Sequence, residues 1–126
     1  MRAYQAKVED LVQSNTDFRR VIFTTEKTQL VLMTLQAGEE IGDEVHTVDQ
    51  VLHFEEGIAK AVLDGVESQV EAGSIVVVPA GTRHNFINTG SGLLKLYTLY
   101  APPEHKDGTV HHTKAEADKA EAEEHK

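Results

Sequence analysis

The chain has 126 residues, a net charge of −9 and a hydrophobic fraction of 40%, which fits a single globular domain with one core. The acidic balance excludes phosphate-backbone recognition, which needs clustered Lys and Arg, and no apolar run reaches the roughly 20 residues that span a bilayer. No cysteine is present, so there is neither a disulfide framework nor a thiolate metal site.

The amino-terminal stretch MRAYQAKVEDLV lacks the basic-then-apolar pattern of a signal peptide, and the chain is expected in the cytoplasm. Val8, Leu11 and Val12 stand at i, i+3 and i+4 and predict a short helix or helical turn between Lys7 and Asn15. Two strands follow, Phe18 to Thr24 and Gln29 to Gln36, rich in Val, Ile, Leu and Thr and split by a polar turn. Four shorter extended segments come next: Val51 to Glu55, Ile58 to Leu63, Glu67 to Glu71 and Ser74 to Val78. Turns at Glu56-Gly57, Asp64-Gly65 and Ala72-Gly73 punctuate them. His84 to Asn88 and Leu93 to Tyr100 complete the set, and Pro102-Pro103 closes it because neither proline can donate to a ladder.

Short strands at this spacing predict an all-β sandwich or barrel. The predicted domain runs over residues 1–103, with a charged tail over 104–126. In that tail Thr113-Lys-Ala-Glu116 has the form of a capping box opening an Ala/Glu/Lys helix, frayed at its end.

Two segments carry the chemistry. The first is GEEIGDEVHTVDQVLHFEEG (Gly38 to Gly57) and the second GSIVVVPAGTRHNFIN (Gly73 to Asn88). Five residues separate Gly38 from Glu44; His46 follows after one, Gln50 after three more and Gly57 after six. In the second segment Pro79 stands five residues beyond Gly73, and Gly81, His84 and Asn88 fall at short fixed offsets from it. Glycines suit the reversals, and Pro79-Ala80-Gly81 reads as a turn that presents His84 from a rigid hairpin. Asn88 reads as a turn or backbone-bonding residue. Of the seven histidines, His105, His111, His112 and His125 fall in the tail and are expected in solvent, with His111-His112 a weak adventitious metal site. If Gln50 points inward, strand alternation sends Leu52 and Phe54 inward and His53 to the opposite face.

These spacings resemble the paired motifs of the cupin superfamily, written G-x5-H-x-H-x3or4-E-x6-G and G-x5-P-x-G-x2-H-x3-N, at eight of ten fixed positions. The resemblance implies a cupin fold: a double-stranded β-helix or jelly-roll barrel, here with a short N-terminal helical turn and a C-terminal helical or frayed tail. It also implies a metal site that usually holds three histidines and a glutamate. Here Glu44 and Gln50 replace a His and the Glu, so the implied ligand set is Glu44, His46, Gln50 and His84.

Two imidazoles and a carboxylate suit a site with open positions for Fe(II), and Mn, Co, Ni or Zn are equally admissible. Glu44 could instead be a solvated member of the acidic loop, and some cupins work without metal. The run from Gly38 to Ala117 further resembles small single-domain bacterial and archaeal cupins often labelled loosely as mannose-6-phosphate isomerase-like. Many of that group have an aromatic and an arginine after the Gln, where this chain has Val51-Leu52-His53.

The resemblance leaves two functional expectations. One is a divalent-metal-dependent enzyme, of dioxygenase or isomerase/lyase type, acting on a small oxygenated substrate. Tyr97, Tyr100 or Arg83 would be acid–base or anion contacts; Leu52, Phe54, Phe86, Val31, Met33 and Leu35 would be apolar walls or, taken singly, ordinary core. The other is a non-catalytic module holding a sugar-like or carboxylate ligand. A homodimer is expected through the strands of Phe18 to Gln36, with no nucleic-acid or membrane partner.

Overall fold

The computed structural model describes residues 2–124; His125 lies outside the described residues. A short helix α1 (Val8–Ser14) is followed by ten strands: β1 (Arg19–Thr24), β2 (Gln29–Leu35), β3 (Glu44–Val45), β4 (Asp49–Glu56), β5 (Ile58–Leu63), β6 (Val66–Glu71), β7 (Ile75–Val78), β8 (Arg83–Asn88), β9 (Leu94–Ala101) and β10 (Val110–His111). A second helix, α2 (Lys114–Glu124), ends the described chain. Among the described residues no helix is long and apolar enough to cross a membrane.

The strands form two antiparallel sheets, one ordered β10-β1-β2-β9-β4-β7 and the other β3-β8-β5-β6. Their inner faces enclose Val31, Met33, Leu35, Leu52, Phe54, Ala59, Ala61, Phe86, Leu94 and Leu96, all 0% exposed. Period-two alternation builds this core: along β4, Gln50, Leu52 and Phe54 are buried while Val51, His53 and Glu55 are only half-buried. Strand β2 departs from that pattern, being buried at all but one position. Its outer face is covered by α1, whose Val12 is 0% exposed. Lys95 on β9 ties that helix down, its Nζ donating to Gln13 O (2.6 Å) and Asn15 O (3.1 Å).

The turns follow their chemistry. Asp64 (φ 49°) and Gly65 (φ 82°) both have positive φ in the two-residue link between β5 and β6, the backbone of a type I′ hairpin. Gly57 is required for a different reason. A Cβ there would lie 2.6 Å from Leu93 O and 3.0 Å from Leu94 Cα, so β9 can approach the β4–β5 turn only over a glycine.

The segment after the prolines returns to the sheet. Arg19 and Arg20 of β1 pair with His111 and Val110 of β10, and Ala117 of α2 is buried in the core. The capping box forms as the sequence predicts, with Glu116 N donating to Thr113 Oγ1 (3.1 Å) and Thr113 N to Glu116 Oε2 (3.1 Å). Because β2 runs between β1 and β9, and β10 covers the start of β1, much of the edge expected from Phe18 to Gln36 is already paired within the chain.

Candidate metal and ligand site

Strand pairing brings the two sequence motifs together. Glu44 of β3 stands directly opposite His84 of β8, so their side chains leave the same face of the sheet. His46 follows β3, and the His46 and His84 rings lie 5.0 Å apart at their centroids. From the facing sheet, Gln50 and Tyr100 are cross-strand partners on β4 and β9, and Tyr100 packs edge-on against His46. Gln50, His46 and His84 are 2%, 8% and 2% exposed. The structure therefore assembles Glu44, His46, Gln50 and His84 at one inner end of the sandwich.

Both histidines have Nδ1 anchored. His84 Nδ1 donates to Thr82 O at 2.8 Å. His46 Nδ1 meets Glu104 Oε2 at 3.0 Å, while its Nε2 faces Glu44 Oε2 at 3.6 Å. With the proton on Nδ1, each ring has a lone pair on Nε2. Glu104 was not anticipated from the sequence. It follows Pro102-Pro103, in a segment read as a tail, and no motif marks it.

Gln50 contributes an amide held on one side only. Its Nε2 donates to Thr98 Oγ1 (3.1 Å) and Tyr100 Oη (3.2 Å), whereas its buried Oε1 has no hydrogen-bond partner. A buried carbonyl oxygen without a donor is costly.

Burial and charge act against each other here. Burial is the largest influence on Glu44 and holds its pKa above the usual range despite His46 and Arg19 nearby. Burial also weighs most on His46, in the downward direction, but the Glu104 hydrogen bond and the charges of Glu44 and Glu104 together raise it. His84 is lowered, chiefly by burial. Burial raises Tyr100 far above the usual phenol range, so it stays neutral.

The donor set was tested for its fit to a divalent ion. Two nitrogen or oxygen ligands at about 2.1 Å from a tetrahedral ion stand about 3.4 Å apart, close to the 3.6 Å between His46 Nε2 and Glu44 Oε2. A histidine whose second nitrogen donates to a carboxylate or backbone carbonyl is the usual support of a metal ligand, and both histidines have it. The residues fit. As the side chains stand, no group of three or more His, Asp or Glu among the described residues is gathered closely enough to form a cage.

The other candidates lie elsewhere. Arg83 alternates with His84 and points outward, in an ion pair with Asp43 (Nε to Oδ2, 3.0 Å). Tyr97 lies on the outer face, stacked on His53 with centroids 5.2 Å apart; His53 also contacts Glu55 at 2.9 Å. Neither Arg83 nor Tyr97 joins the cluster. Asn88 bonds backbone, donating to Leu35 O and Gly92 O.

Leu52, Phe54, Phe86, Val31, Met33 and Leu35 are core, all 0% exposed. One expectation needs correction: the tail histidines are not uniformly solvated. His105 is partly buried, with Nε2 3.4 Å from Tyr100 Oη, and burial lowers its pKa to about 3.

The accessible space beside the cluster is a polar cavity of about 180 Å³. Arg19 of β1, Glu44, the loop from Glu104 to Lys106, His111 of β10 and Glu121 of α2 line it. The returning segment thus supplies most of the wall.

A two-sheeted jelly roll with its polar cluster at the meeting of two glycine-bounded motifs defines a small cupin. Residues 31–100 match the family model for the Cupin domain, more than half the chain. This chain belongs to the cupin superfamily. It is 42% identical over 127 aligned residues to the uncharacterized protein YrkC of Bacillus subtilis, covering 95% of this chain and 68% of YrkC. It is also similar to the crystal structure of BH2720 from Bacillus halodurans, with a TM-score of 0.92, 41% identity, and coverage of 94% and 95% of the two chains. An RmlC-like cupin with a double-stranded β-helix fold from Methanocaldococcus jannaschii shares the fold, at a TM-score of 0.67 and 20% identity over 81% of this chain and 91% of that one.

Proposed function

We propose that this protein is a divalent-metal-binding cupin that acts on a small oxygenated molecule in the polar cavity. One observation carries the reading: both buried histidines are anchored through Nδ1, leaving two Nε2 lone pairs beside Glu44 and a partnerless Gln50 Oε1. His46, His84 and Glu44 would hold the ion, and Gln50 would add a neutral oxygen. A bound divalent ion would supply Lewis-acid activation of a substrate oxygen, or an O2 site in the case of iron.

The chain's own groups do the rest. Glu104 orients His46 through Nδ1, and Thr82 O orients His84. Tyr100 stays protonated and completes a chain of hydrogen bonds from Val51 O through Thr98 and Gln50. Thr98 donates to Val51 O and so must accept from Gln50, which fixes the amide's orientation.

A second reading has support of its own. His46 sits between two carboxylates and has a raised pKa, an arrangement in which imidazolium itself provides the compensating cation of a metal-free binding module. Titration with Co(II), followed by visible absorption, separates the two. The metal reading expects saturable d–d bands in the wild type that are lost in His84→Ala. Absence of any band in the wild type would favour the metal-free module. Oxygen consumption by Fe(II)-loaded protein across small hydroxy and keto compounds then distinguishes a dioxygenase from an isomerase or lyase.

A further inference from the structure

Arg19 is a buried cation that lies near Glu44 without forming an ion pair with it. It is 8% exposed, and its Nε is buried without a hydrogen-bond partner. Among the described residues it forms no ion pair with any carboxylate, although Glu44 and Glu104 line the same cavity. Its side chain hydrogen-bonds through Nη1 to His111 Nδ1 at 3.2 Å. A guanidinium can only donate, so His111 Nδ1 accepts. The guanidinium carbon lies over the Phe18 ring, 5.3 Å from the centroid, a cation–π contact.

Burying a guanidinium whose donors are not all paired is costly. Here the cost falls on a residue that lines the cavity beside the histidine pair. With Nη1 engaged by His111 and Nε closed off by burial, Nη2 is the donor left for a ligand carboxylate, a charge-assisted bond.

We propose that this cavity binds a small monocarboxylate, with Arg19 as its anchor. The identification deepens the metal-binding cupin reading and rests on it for the ligand's reactive end, while the anion contact itself is testable without metal.

Charge and size narrow the class. Glu44, Glu104 and Glu121 share the cavity with Arg19 and Lys106, so a multiply charged anion such as phosphate meets proportionally more repulsion than a monoanion. A cavity of about 180 Å³ has room for about six waters at about 30 Å³ each, the size of a short hydroxy or keto acid. Such a ligand places its carboxylate on Arg19 and its second oxygen toward Glu44 and His46.

The test reads Arg19 directly. In nitrogen-15 correlation spectra of the metal-free protein, the Arg19 Nε–Hε peak is assigned by its loss in Arg19→Gln. Lactate and pyruvate are expected to move that peak saturably, with lactamide and inorganic phosphate leaving it in place. Lactate affinity, measured by calorimetry, is expected to fall about tenfold or more in Arg19→Gln. No movement with either carboxylate, before and after Mn(II) loading, would overturn the proposal, as would an equal response to lactamide or phosphate. Arg19→Lys, which keeps the charge, removes the same peak and secures the assignment should Arg19→Gln fold poorly. If Co(II) binding fails while lactate still shifts the peak, the metal reading falls and the Arg19 anchor stands.

Discussion

Replacing Gln50 by Glu restores the carboxylate that the general cupin pattern places at this position, and the surroundings set its cost. Gln50 is 2% exposed and donates from Nε2 to Thr98 Oγ1 and Tyr100 Oη. Thr98 has one hydroxyl hydrogen, committed to Val51 O at 2.9 Å, so a carboxylate at position 50 meets Oγ1 lone pair to lone pair. Only Tyr100 can turn a hydrogen toward it. Losing one buried bond and leaving its acceptor unpaired costs about 1–3 kcal/mol, and burying the charge adds to this. A total of about 3 kcal/mol corresponds to about 12 °C in Tm for a domain of this size.

The sign with pH follows from burial, which raises the folded pKa of the new acid above its unfolded value of about 4.3. The protonated acid can donate to Thr98 as the amide does, so little is lost at low pH. The penalty grows as pH rises above about 4.3 and levels off beyond the raised folded value. Thermal melts of wild type and Gln50→Glu in EDTA should therefore differ little at pH 5 and widely at pH 8. Saturating Mn(II) should close the gap at pH 8, since the new carboxylate gains a cation. An equal loss at both pH values, or none at pH 8, would refute this account of Gln50.

Gly57→Ala is expected to lower stability by about 2–4 kcal/mol, because a Cβ 2.6 Å from Leu93 O forces β9 away from the turn. Gly65→Ala, with positive φ but no atom within 4 Å, should cost only about 1 kcal/mol; equal urea midpoints for the two would contradict the close-approach argument. His105 has its folded pKa lowered to about 3 from an unfolded value of about 6.5. Its contribution to stability is therefore lost progressively as pH falls from about 6.5 toward 3. Proton NMR should show its ring untitrated between pH 8 and pH 5, while His112, raised by its hydrogen bond to Asp17, titrates above 6.5. A His105 midpoint near 6.5 would remove the enclosed ring from the account.

Much of the fold was legible because strands with one buried face alternate and glycine turns mark their ends. The eight longer strands, both helices and the capping box all leave local signals. Strands β3 and β10 do not. Each has two residues and exists only through its partner, β8 for one and β1 for the other. The cluster of Glu44, His46, Gln50 and His84 was legible through the resemblance of the two motifs to the cupin pattern, and register carries those residues to one place.

Arg19 and Glu104 were not legible. Arg19 looks like any strand-opening arginine until β10 and α2 close over it. Glu104 reads as tail acidity until the chain turns back toward His46. Both depend on a long-range return that no local pattern announces. Arg83 and Tyr97 were misplaced for the opposite reason: alternation along β8 and β9 sends them outward, next to the inward His84 and Thr98.

The central claim is that Glu44, His46 and His84 hold a divalent ion. Its most direct test is elemental analysis by mass spectrometry of protein purified without chelators, comparing the wild type with His46→Ala and His84→Ala, each first shown to be folded. The account predicts stoichiometric transition metal in the wild type and its loss in both variants. Equal metal content in all three preparations would contradict it.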